Sequence, residues 1–261
     1  MRHALMFIFG TLFITPVWAS SEIKDISTRP GVTQRVLLLK PARPLAVLVI
    51  FAGGDRPLGI ADDGSLAWGS ASLLIRTSPL FVRSDFTVAI VDTPSDQQAT
   101  PTNLFRESAE QAQDIAAVIA FLRENSHLPI WLIGTGSGTT SVLNAAIRLQ
   151  KNGANGIVLT SGIPAESRDT LTAQLGKIRI PTLSMRKTDP CHPAPKADPS
   201  GIIAALKNSP QAQELTVSAV LAADANPCLN PPSHGYLGME DQLVEKISRW
   251  IKTIPLSGNY I

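Results

Sequence analysis

The stretch Trp131–Thr140, WLIGTGSGTT, joins an apolar run to a glycine-rich turn and then to a run of small residues. A strand-to-helix turn with the spacing G-x-S-x-G holds a serine hydroxyl at its tip, where a neighbouring base activates it for acyl transfer. Here the central position is Gly136, and the only serine of the turn is Ser137, one residue late. Sterics decide which of the two is the apex. The residues two before and two after it must be small, because strand and helix pack closely there. Centred on 136 those neighbours are Gly134 and Gly138; centred on 137 they are Thr135 and Thr139. The apex is therefore read at Gly136, which takes a strained φ/ψ without the ~1 to 3 kcal/mol that a residue with a side chain bears there. Ser137 then falls in the first helical turn, its Cα about 3.8 Å from the apex, whereas catalytic geometry tolerates errors of only about 0.5 Å. A nucleotide-binding reading fails on spacing: the turn is G-x-G-x-G and has no P-loop lysine.

Such a turn needs a sheet beneath it. Thr33–Leu39, Ala46–Phe51, Phe86–Val91, Ile130–Ile133, Gly156–Thr160, Pro181–Met185 and Leu215–Val220 are short apolar runs rich in branched residues, as buried parallel strands are. Helical patterns lie between them. One opens on the capping box Ser108-Ala-Glu-Gln111 and continues with Ile115, Val118, Ile119 and Leu122 on one face. Another follows the turn with Val142, Leu143, Ala146 and Leu149, and a last one from Met239 carries Leu243, Val244, Ile247 and Ile251. This alternation predicts an α/β fold, a mostly parallel sheet with helices on both faces. Ligand chemistry in such sheets sits at the carboxyl ends of the strands. Polar clusters fall there: Phe51–Asp55, Asp92–Asp96, the glycine turn, Lys187–Cys191 and Ser233–Tyr236.

The 261-residue chain opens with Arg2 and His3, an apolar run from Ala4 to Val17, and Val17-Trp18-Ala19 before Ser20. This reads as a secretory signal peptide over residues 1–19; the run is interrupted by Gly10, Thr11, Thr15 and Pro16 and is shorter than a membrane span requires. Residues 20–261 then form one domain, periplasmic or secreted, with no membrane span after signal removal. The formal net charge is +2, mixed in sign along the chain, with no basic block or aromatic-basic stripe for nucleic acid. Cys191 and Cys228 are the only cysteines, each in a Pro-rich loop. In an oxidising compartment a disulfide is the first reading and two buried thiols the alternative. No metal-ligand spacing is present, and no cofactor is implied.

Taken in order, AGGD (52–55), VDTPSD (91–96), IGTGSGT (133–139), DPC (189–191) and the late Cys228 with SHGY (233–236) resemble the α/β-hydrolase superfamily, and within it a group of small exported bacterial hydrolases. The resemblance spans nearly the whole mature chain. It departs at the elbow, where the Ser-Arg of that group is Gly136-Ser137.

The resemblance implies roles. Asp189 would orient a histidine and stabilise its charged form, and His234 would be the general base, with His192 in the acid loop its rival. Gly54, in the Gly53-Gly54-Asp55 turn, and Ser137 would each present a backbone N–H to an oxyanion. A Cys191–Cys228 bond would tie the acid loop to the histidine loop, removing unfolded-state entropy worth about 4 kcal/mol. Three functional readings follow: a degenerate hydrolase, a pseudoenzyme that binds a small ester or acyl ligand or a partner; an active serine esterase or acyl hydrolase using Ser137; and direct activation of water by Asp189 and His234.

Overall fold

The computed structural model describes residues 20–99, 103–188, 200–218 and 236–255. Eight strands form one sheet in the order β1-β2-β4-β3-β5-β6-β7-β8. β1 (Ser20–Arg29) and β2 (Val32–Lys40) make an antiparallel hairpin, and β2 runs antiparallel to β4 (Phe86–Val91). From β4 onward, through β3 (Ala46–Phe51), β5 (Ile130–Gly134), β6 (Gly156–Leu159), β7 (Thr182–Thr188) and β8 (Ala212–Ser218), every pairing is parallel. The seven strands read from sequence are present, with β7 extending further and β8 starting earlier than read; residues 219–220 of the last one lie outside the described residues, and β1 is added at the edge. The fold is an α/β-hydrolase fold, as expected.

Helices cover both faces because the central strands are buried on both. In β3, Val47, Val49 and Phe51 face one core, shared with α3 (Ala109–Ser126) and α4 (Ser137–Leu149). Leu48 and Ile50 face the other, shared with α1 (Leu73–Arg83) and α7 (Glu240–Thr253). The periodic faces expected for the three helices are the ones that pack: Ile115, Val118, Ile119 and Leu122; Val142, Leu143 and Ala146; Leu243, Val244, Ile247 and Ile251 are all buried. Three short helices lie in connections, α2 (Asn103–Arg106), α5 (Arg168–Thr172) and α6 (Ser200–Ala205).

The capping box forms by half. Ser108 Oγ accepts from Gln111 N–H at 3.1 Å, which satisfies one orphan donor of α3. The Gln111 side chain does not reach back to Ser108; its amide instead donates to Ser141 Oγ at 2.9 Å across the α3–α4 interface.

Two acidic residues of the 91–96 segment fix the scaffold. Asp92 is buried, and its carboxylate accepts the backbone N–H groups of Leu58 (2.7 Å), Ile60 (3.0 Å) and Thr93 (2.7 Å), pinning the loop after β3 to the end of β4. Asp96 takes one arm of Arg29, whose guanidinium also grips the fully buried Asp114 of α3 through Nε (2.7 Å) and Nη2 (2.9 Å). The buried pair is bidentate, the geometry in which a desolvated ion pair is held best.

Candidate active site

β5 ends at Gly134 and α4 starts at Ser137, which leaves two residues to reverse the chain. Gly136 makes the corner with φ 54° and ψ −129°, a conformation that side-chain residues rarely adopt. Its neighbours are glycine for a different reason. A Cβ on Gly134 would lie 2.6 Å from Gly138 O, and one on Gly138 would lie 2.0 Å from Phe51 O, so the helix start is pressed against the ends of β3 and β5. At Gly136 itself there is room. The residue is exposed, and among the described residues a Cβ there would meet only Gly53 Cα, at 3.4 Å. The corner excludes side chains beside the apex by contact, and at the apex only by backbone strain.

The turn after β3 packs on this corner. A Cβ on Gly53 would come within 2.8 Å of Thr135 O, and Gly54 has φ 118°. Ser137 ties the two turns together: its hydroxyl donates to Gly54 O at 2.9 Å and accepts from Gly54 N–H at 3.0 Å. The Ser137 oxygen is thereby aimed at the β3 turn, and the Gly54 N–H expected to face an oxyanion is taken up by it. The Ser137 N–H has no acceptor among the described residues, as befits the first amide of a helix.

Two further residues complete the corner, and neither carries a signal in the sequence. Ser161, just past β6, accepts from Gly136 N–H at 2.6 Å and lies 3.0 Å from Thr139 Oγ1, so a side-chain hydroxyl caps the apex amide. Arg106, at the end of α2, is buried; its Nη1 donates to Ser141 Oγ (3.0 Å) and its Nη2 to Gly54 O (3.2 Å). No described carboxylate lies within ion-pair distance of it, and burial pushes its guanidinium down to about 10. A serine in the bend after a strand, or an arginine in a four-residue helix, has no periodicity to betray it.

Asp189, Cys191, His192, Cys228 and His234 lie outside the described residues. Their nearest described neighbours are Thr188, the last residue of β7, and Tyr236, which is buried in the core beside α7 with its hydroxyl held well above the usual range by burial and by Glu214. Among the described residues no cluster of His, Cys, Asp or Glu could hold a metal, and no helix is long and apolar enough to cross a membrane.

A cavity of about 30 Å³ adjoins the corner, walled by Gly53, Arg106, Gln111, Gln34, Asp92 and Thr93 among others. A larger surface groove, about 600 Å³, runs between α1 and α7 on the helical exterior; it includes none of the residues of the corner. The candidate site is therefore taken from the strand-end geometry and not from size.

The architecture defines the α/β-hydrolase class of folds. Solved structures of the same class are similar over most of their length: an esterase of Pyrococcus furiosus (TM-score 0.62, 10% identity, 89% of this chain and 90% of that one); a dienelactone hydrolase of Anabaena variabilis (0.56, 14%, 89% and 97%); and carboxyl esterase 2 of the mycorrhizal fungus Tuber melanosporum (0.56, 13%, 91% and 89%). At these identities the likeness is one of fold. No family model matches the chain, and no curated protein matches it in sequence.

Proposed function

We propose that this protein is an exported α/β-hydrolase-fold protein whose nucleophile position has been vacated, and that it binds a small ester or acyl ligand at the carboxyl ends of β3 and β5. The observation that carries this reading is the corner at Gly136, which has the sharp backbone turn of a nucleophile elbow and no side chain on it. Ser137 is a poor substitute, because its hydroxyl is engaged twice with Gly54, one residue past the apex. In this reading Asp189 and His234 are the acid and base of a triad without its serine, the Cys191–Cys228 disulfide joins their loops, and residues 1–19 are removed on export.

A second reading, an active serine esterase in which Ser137 attacks, draws on the named esterases among the fold neighbours and on the free Ser137 amide, which serves an oxyanion equally well. Hydrolysis of short activated esters by the wild type and by Ser137→Ala separates the two. The vacated-elbow reading expects weak or undetectable turnover in both. Robust wild-type turnover abolished by Ser137→Ala would make Ser137 the nucleophile.

A further inference from the structure

The sheet has an edge at β1, and no described strand pairs with its outer side. Such an edge offers unpaired N–H and C=O groups to another extended chain, and proteins blunt it with a short strand, a proline or a bulge. β1 uses none of these over most of its length. It runs for ten residues without proline, and its register with β2 is unbroken from Ser20 to Ser27; the irregularity falls only between Ser27 and Arg29. The anchor to α3, through Arg29 and Asp114, lies at that irregular end.

Charge decides what this edge accepts. Glu22 and Lys24 alternate with Ile23 along the strand, so they share the face of the buried Ile26, and both are part-exposed; Glu22 is bound by Lys24 and, at 2.6 Å, by Lys40 of β2. Ile23 packs against the opposite core, and Asp25 is held on that side by Arg35 of β2. A second copy paired antiparallel about a two-fold axis normal to the sheet must be centred on one residue, because a centre between residues sets the upper side chains of one copy against the lower ones of the other. Centred on Glu22, Lys24 or Asp25, that residue faces its own like charge. Centred on Ile26, the pairing runs into the irregularity at Ser27–Arg29, and centred on Ser21 it overlaps the described strand only over Ser20–Glu22. Centred on Ile23, each Glu22 lies opposite the second copy's Lys24, Ile23 meets Ile23, and Asp25 faces the neutral Ser21. Opposite charges directly across a strand pair stabilise it and like charges destabilise it.

We infer that the outer edge of β1 is the interface of a two-fold homodimer: it pairs antiparallel with the same edge of a second copy, centred on Ile23, and joins the two eight-stranded sheets into one. The same charges that make this register self-complementary oppose its neighbours, so the edge is closed to slipped pairings and open to one. The inference stands apart from the ligand-binding reading, since β1 lies at the far side of β2 and β4 from the corner on β5.

The test is sedimentation equilibrium of the mature protein over a concentration series, with Glu22→Lys, Lys24→Glu and an equimolar mixture of the two. The wild type is expected to show a monomer–dimer equilibrium, and each single charge reversal to weaken it at least tenfold. The mixture is expected to dimerise again, because a Glu22→Lys copy beside a Lys24→Glu copy has opposite charges at every position across the axis. Should either variant fail to fold, Ile23→Cys supplies a second readout: on oxidation it should cross-link to itself as a covalent dimer on a non-reducing gel, while Ser21→Cys and the wild type should not. A wild type that is monomeric at every concentration, a dimer indifferent to both charge reversals, a mixture of folded variants that stays monomeric, or equal cross-linking of Ile23→Cys and Ser21→Cys overturns the interface.

Discussion

The corner at 134–138 and the cavity behind Gly53 touch each other, yet they are built on opposite terms. In the corner the backbone is held closely: the apex amide is capped by Ser161, the flanking positions are glycine where a Cβ would collide, the one strained residue is a glycine, and only the Ser137 N–H lacks an acceptor among the described residues. Behind Gly53 the reverse holds: Arg106 is buried, and Arg106 Nε, Gln34 Oε1 and Gln111 Oε1 have no partner among the described residues. The contrast teaches that the backbone geometry of the sharp turn and the polar groups behind it are carried by different residues, so that either can change while the other is kept.

Substitutions that break this comparison should differ in size. Gly138→Ala is expected to have the largest effect, about 3 kcal/mol or more of lost stability, since its Cβ would meet backbone oxygen and overpacking against backbone cannot be relieved by a rotamer change; a denaturant melt reads it directly. Gly136→Ser should be milder, costing about 1 to 3 kcal/mol from backbone strain alone, because the space exists. Its melt should sit between those of Gly138→Ala and the wild type. If the two substitutions proved equally destabilising, the claim that contact and strain are separable at this turn would fail.

Smaller effects sharpen the roles of the two hydroxyls. Ser137→Ala removes both bonds to Gly54 and should lower stability by about 1 kcal/mol. Hydrogen exchange of the Gly54 amide, which loses its acceptor, should quicken; an unchanged rate would mean that Ser137 does not hold the β3 turn. Ser161→Ala leaves the Gly136 amide facing solvent and should have the least effect, under about 1 kcal/mol in the same denaturant melt.

Most of this fold could be read from residues because its central strands are buried on both faces, so that Ala46–Phe51 and Phe86–Val91 stand out as unbroken apolar runs. β1 carries no such signal, for the opposite reason. SSEIKDISTR lies at the edge of the sheet and is mostly polar, and only Ile26 is buried in it. α1 was hidden by Pro79, which the helix accommodates while Thr77 and Ser78 return their hydroxyls to the carbonyls of Leu73 and Leu74. At the site, the glycines of the corner were legible because their spacing follows from close packing. Arg106, Gln34 and Gln111 were not, since they come from three unrelated segments and meet only through the tertiary fold. The half-formed capping box shows the limit well: the sequence places Gln111 near Ser108, whereas packing turns its side chain toward Ser141.

The central claim is that this hydrolase fold lacks only its nucleophile. Its most direct test is a fluorophosphonate probe applied to the wild type, Ser137→Ala and Gly136→Ser, followed by mass mapping of the modified peptide. The account predicts an unlabelled wild type, an unlabelled Ser137→Ala, and labelling of Gly136→Ser at position 136, accompanied by newly acquired turnover of short esters. Labelling of the wild type at Ser137 would contradict it.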